Sequence, residues 1–158
     1  MSTSAVERRH EKQKEALRSV GANEFWAFSA CRYSLNESER LRQIKSGFPA
    51  HLFLAMRHTF NLQDTGLALL LNASISTLER RVREHQSLDT VASERLDRIA
   101  SVSLQAEEVF EDRVAAAQWL SKRNKALGNN APILLCETEI GAKQVRRVLY
   151  ALEWGGVA

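Results

Sequence analysis

The chain reads as an all-α protein, and three observations carry that reading. Only two prolines and seven glycines are spread over its 158 residues, so long stretches are free to run as helix. Apolar residues recur at three- and four-residue steps, the spacing that gathers them on one helix face. Residues suited to helix starts, such as Asn36, Ser74, Ser93 and Pro132, stand just ahead of those periodic runs. The expected architecture is an N-terminal helix-turn-helix bundle followed by a small helical domain, divided as residues 1–35, 36–100 and 101–158.

The first segment opens on Val6 to Glu15, where glutamates and basic residues alternate at helical spacing with few apolar residues between them. It is expected to be a solvated helix or a loose arm. A DNA-reaching basic arm is the weaker reading, because Glu7, Glu11 and Glu15 dilute its charge. Phe25, Trp26 and Phe28 follow as an aromatic cluster of the kind that docks a segment onto a neighbouring core or a second subunit.

The second segment begins with Asn36 and Glu39, spaced as a capping box, and continues with Leu41 and Ile44 before Gly47 as the stop. Phe48-Pro49 then opens a helix carrying Leu52, Phe53 and Met56. From Leu67 to Arg81 the spacing predicts a helix-turn-helix. Ala68 is small where two helices cross, Asn72 tolerates the positive φ that the turn needs, and Ser74 can cap the next helix. In that helix Ile75, Leu78 and Val82 share an inward face, which turns Ser76, Thr77, Arg80 and Arg81 outward. Short polar groups at the N-terminal end, with Ser74 at its head, suit base edges, and arginines fork onto guanine or pair with phosphate. The competing reading is a solvated helix whose arginines only balance Glu79 and Glu84.

Ser93 is expected to cap a long helix whose stripe runs Leu96, Ile99, Val102, Ala106, Val109, Phe110 and Val114. That stripe either holds the two domains together without a flexible linker or forms a dimer seam, and spacing does not separate the two. Beyond Trp119-Leu120, the turn formers from Asn124 onward lead to Pro132, which suits the first position of a short helix. Gly141 marks a left-handed turn or a close helix contact. Val145, Val148, Leu149 and Leu152 then make an apolar stripe, with Lys143, Arg146, Arg147 and Glu153 mostly off it. Trp154-Gly155-Gly156-Val157-Ala158 does not sustain a helix and is suited to insertion as a peptide, its bland alternative being a frayed end.

Two stretches carry a family resemblance. Ala117-Gln118-Trp119-Leu120, then Lys125-Ala126-Leu127-Gly128-Asn129-Asn130-Ala131-Pro132, Glu137 to Ala142 and Val145 to Val157, resemble the toxin-binding domain of the Xre/MbcA/ParS antitoxins. Ser74-Ile75-Ser76-Thr77-Leu78-Glu79-Arg80-Arg81, with Ser93-Glu94-Arg95-Leu96, resembles their S-x-x-T-L-x-R-R and S-x-R-L elements, save that Asn72 stands where glycine is common. The resemblance implies a type II antitoxin with an Xre-like helix-turn-helix. Its partners would be a RES-domain toxin that consumes NAD and operator DNA in an inverted repeat. Self-association into a homodimer and a larger toxin–antitoxin complex would follow, as would autoregulation of transcription. The toxin-binding residues it implies are Glu139, Lys143, Arg146, Arg147, Tyr150, Glu153 and Trp154 to Ala158, with that last segment entering the toxin's NAD pocket. A free-standing transcription factor whose C-terminal domain only dimerises is the alternative.

Several classes fit poorly. His10, His51, His58 and His85 lack paired metal-ligand spacing, no glycine loop suits a phosphate, and Cys136 sits in an apolar run as a small core residue. Glu137 and Glu139 at two-residue spacing do not make a catalytic pair. No enzyme, cofactor or metal site is expected. No apolar run approaches the roughly 20 residues that cross a bilayer, the N-terminus is too charged for a secretory signal, and Cys31 and Cys136 form no framework. The cytoplasm is the expected place, and a net charge of +3 permits nucleic-acid binding without requiring it.

Overall fold

The computed structural model describes residues 4–155, and among these it is helical throughout, with only two isolated β-bridges. Helix α1 spans Ala5–Tyr33 and starts at a full capping box: the Ser4 hydroxyl accepts from the Glu7 amide while the Glu7 carboxylate accepts from the Ser4 amide. Its first half is exposed at every residue through Val20, and its second half buries Phe25 and Trp26. Phe25 meets the edges of Trp26 and Phe60, and half-buried Phe28 meets Phe48, so the aromatic cluster docks onto the core of its own chain.

Helix α2 (Glu37–Ser46) is capped by Asn36, whose side chain accepts from the Glu39 amide and donates to the Glu39 carboxylate. It stops at Gly47, and Leu41 faces solvent, so the expected stripe there buries only Ile44 in part. Helix α3 (Leu52–Phe60) begins three residues after Pro49. Pro49 does not open that helix; it forms a bridge with Ser87, and the neighbouring bonds Leu88 N–H to Phe48 O and Ala50 N–H to Gln86 O clasp two loops together. Helices α4 (Asp64–Leu71) and α5 (Ile75–Arg83) follow.

At the centre lies α6 (Thr90–Phe110), which touches α1, α2, α4, α7 and α9. Its cap is Asp89, not Ser93: the Asp89 carboxylate accepts from the Ala92 amide, whereas Ser93 sits inside the helix, fully buried, accepting from the Phe48 amide at 3.1 Å. Leu96, Ile99, Val102 and Ala106 are fully buried and Val109 and Phe110 partly so. Complete burial of Leu96, Ile99 and Val102 contributes roughly 1.5–3 kcal/mol each. Val114 does not extend the stripe, because Glu111 in the left-handed region ends α6 and leaves Val114 exposed on α7 (Arg113–Ser121).

A single 3-10 turn at Lys125–Leu127 leads to α8 (Pro132–Leu135), with Pro132 at its first turn, and then α9 (Glu139–Glu153). Gly141 lies in the first turn of α9 against the Leu135 carbonyl, so close that a Cβ there would collide with backbone. Close approach, not a left-handed backbone, is therefore what requires glycine. Position 100 falls within α6, and the buried side chains from Phe25 to Leu149 make one continuous core.

Beside that core, Asp97 of α6 ties two helices. Its Oδ1 accepts from Arg32 Nε at 2.8 Å and its Oδ2 from Arg40 Nη2 at 2.6 Å. Arg32 is almost wholly buried, donates also to Gln43, and lies 4.6 Å from the Phe48 ring centre. Burial of such a charge is tolerated because a carboxylate, an amide and an aromatic face all meet it.

Candidate functional site

Two surfaces, one on α5 and one on α9, gather the residues singled out above. In the first, Asn72 closes α4 at φ 52°, ψ 44°, its amide donating to the Ala68 carbonyl. Ser74 caps α5 by accepting from the Thr77 amide, and its hydroxyl also donates to the Thr77 hydroxyl at 2.9 Å. Leu78 is fully buried, and Ile75 and Val82 pack at the rim of the core. The opposite face carries Ser76 and Arg80, both exposed.

The remaining members of that set divide by role. Ser74 and Thr77 spend hydroxyl bonds on each other, and Arg81 donates from Nη1 to the Ser87 carbonyl at 2.9 Å, holding the loop after α5. Arg81 therefore lies half-buried in the scaffold of the surface, while Arg80 is exposed on it. Arg83, exposed in the last turn of α5, was not among the expected residues and adds a further exposed cation to this surface. Arg95 was also missed: its Nη1 lies 3.0 Å from the Leu69 carbonyl and 3.4 Å from that of Leu70, capping the C-terminal end of α4 with positive charge. Its place in the Ser93-Glu94-Arg95-Leu96 element was the one hint of such a role.

The second surface is the outer side of α9. Ala142, Val145 and Leu149 are buried, with Val148 and Leu152 partly covered. On the other side Ile140, Lys143, Arg147, Tyr150 and Trp154 are all exposed, at steps of three and four residues that place them in one row. Ile140 is 75%, Tyr150 59% and Trp154 73% exposed, and the Tyr150 and Trp154 rings lie 6.0 Å apart. Large apolar groups lined up on one face without cover are the mark of an interaction surface. Ile140 was absent from the expected set although its spacing to Lys143 and Arg147 was legible.

Glu139 and Arg146, also expected here, are bound to each other at 3.0 Å. Glu139 further lies 3.2 Å from Arg98 Nε, an ionic contact off the hydrogen-bond direction. Glu153 is exposed at the last turn. Helix α9 ends there, and Gly155 follows at φ +80°. Gly156, Val157 and Ala158 lie outside the described residues.

Arg98 of α6 holds the turn between α8 and α9. Its Nη1 donates to the Cys136 and Glu137 carbonyls at 3.0 and 2.9 Å, and its Nη2 to the Glu94 carboxylate at 2.8 Å. Cys136 is fully buried, and burial pushes its thiol up to about 12, against the opposing pull of Arg146 and Arg98, so it stays protonated at neutral pH and is no nucleophile. Among the described residues no three of His, Cys, Asp and Glu cluster as metal ligands. No helix of these residues is long and apolar enough to cross a membrane.

Comparison with known proteins adds three findings. Residues 39–101 match the antitoxin Xre-like helix-turn-helix domain, and residues 105–155 match the antitoxin Xre/MbcA/ParS C-terminal toxin-binding domain. Along 98% of both chains the sequence is 27% identical to a Pseudomonas putida protein named antitoxin Xre.

Proposed function

From a chain that belongs to the Xre/MbcA/ParS antitoxin family, with one domain for DNA and one for a toxin, we propose a specific pair of tasks. It neutralises a RES-domain toxin that consumes NAD by laying the outer face of α9 and the segment after it over the toxin's active site. It also binds its own operator through α5 and thereby sets its own transcription.

The observation that carries the first task is the uncovered row Ile140, Lys143, Arg147, Tyr150 and Trp154, which ends where the helix gives way to glycine. Tyrosine, tryptophan and arginine are the side chains that dominate binding energy at protein interfaces. Glu139, Arg146 and Glu153 flank that row, and residues 154–158 extend it toward the toxin's NAD site. Glycines there let backbone approach closely, and Trp154 supplies an apolar anchor.

For the second task, Ser76, Thr77 and Arg80 face the bases and phosphates, while Ser74 and Arg81 hold the helix and its loop in position. A dimer would present two such helices to an inverted repeat with half-sites about 10 base pairs, or a multiple, apart. Toxin bound to the antitoxin dimer then forms the larger repressing complex.

The test is co-expression with the RES-domain product of a neighbouring gene, reading complex formation and cellular NAD for the intact chain and for a deletion of residues 154–158. The intact chain should preserve NAD, and the deletion should lose protection while still co-purifying. Full protection by the deletion would replace active-site blockade with obstruction by the folded surface. Absence of any complex or toxicity would leave a transcription factor whose C-terminal domain serves another purpose.

A further inference from the structure

The first half of α1 is an α-helix with every residue exposed from Ala5 to Val20, a span of roughly 24 Å at the helical rise per residue. A helix of this length without tertiary support is marginal in water. Yet it has an apolar seam. Val6, His10, Gln13, Leu17 and Val20 follow one another at steps of four and three, the a and d spacing of a two-stranded coiled coil, and Val6, Leu17 and Val20 are each more than 60% exposed. Glu7 and Lys14 take equivalent flanking positions on one side of the seam, and Arg9 and Ala16 on the other.

We propose that this half-helix pairs antiparallel with the same segment of a second copy of the chain. The flanking charges select both direction and register. A parallel pair would set Arg9 against Lys14 of the second copy on both sides. In an antiparallel pair, Glu7 can face Lys14 twice, and the layers become Val6 on Leu17, His10 on Gln13, and the same two again by symmetry. Sliding by one heptad in either direction brings Lys14 against Lys14 or Glu7 against Glu7. Only one of these arrangements therefore has matching charges, apolar outer layers and a hydrogen-bonding pair at the middle. Leu17 borders a shallow pocket with Leu62 and His58, which leaves room for the incoming Val6 beside α3.

The pairing rests on the reading of the protein as a dimer, and the test separates the two. In a Cys31→Ser background, which removes the exposed cysteine, His10→Cys and Gln13→Cys chains carrying different tags are oxidised singly and after co-expression, alongside sedimentation of the unmodified chain. A disulfide between the two variants, with neither variant cross-linking to itself, is the expected result. Leu17→Glu should then weaken self-association at least ten-fold and lower the helix content of the first half of α1, while the core from Phe25 onward stays folded, since the side chain is exposed. Self-linked His10→Cys would mean parallel pairing and overturn the proposal. A sedimenting dimer without any cross-link would also overturn it while keeping the dimer, and a monomer without cross-links would remove both.

Discussion

Asp97 neutralises two guanidinium groups at once, and one of them, Arg32, is almost wholly buried. Removing a partner from a buried pair leaves a charge uncompensated, so Asp97→Ala should destabilise the protein by about 3–5 kcal/mol in a denaturant titration. A loss below about 1 kcal/mol would mean that Gln43 and the Phe48 ring suffice for Arg32. His58 gives a smaller, pH-dependent effect. Partial burial first, then the charges of Arg57 and Arg18, hold its imidazole below the ordinary histidine value. The unfolded chain thus takes up the proton before the folded one does, and stability falls as pH drops below about 6.5. In His58→Gln the drop in melting temperature between pH 7.5 and 5.5 should be shallower than in the unaltered chain; an identical drop would assign the pH dependence elsewhere. Neither role was legible in the sequence, because each depends on partners from distant helices.

At the scale of the element, α5 separates into residues that present a surface and residues that hold it. Arg80→Ala should weaken operator binding by about 1–3 kcal/mol in a titration at fixed salt, with unfolding unchanged. Arg81→Ala should instead lower stability by about 0.5–1.5 kcal/mol, through loss of its bond to the Ser87 carbonyl. If both changes act only on DNA affinity, Arg81 belongs with the free residues after all. Helix ends set by local chemistry were readable in advance: Asn36, Asn72, Ser74 and Pro132 stand where short-range bonding and backbone preference put them. The failures share a cause. Ser93 lost the capping role to Asp89 and Pro49 lost its helix because the loops at 48–50 and 86–88 clasp each other, a pairing between segments far apart in sequence. The all-helical class was visible from composition and periodicity; of the exposed row on α9, Lys143, Arg147, Tyr150 and Trp154 were named through the resemblance and Ile140 was not.

For the molecule as a whole, α6 is the common beam. One turn apart it carries Arg95, which closes the end of α4, and Arg98, which holds the backbone before α9. Arg98→Ala would strand two partly buried carbonyls and should cost about 1–3 kcal/mol, lowering toxin binding and operator binding together. Loss of toxin binding alone would show that the two surfaces are held independently. A single uninterrupted helix spans the junction between the matched domains, so no exposed tether waits there for a protease. A nick inside α6 would open the shared core and release neither half as a working fragment. On the proposed function, DNA binding and toxin binding would then be lost in the same event, and turnover of this chain would behave as an all-or-none signal.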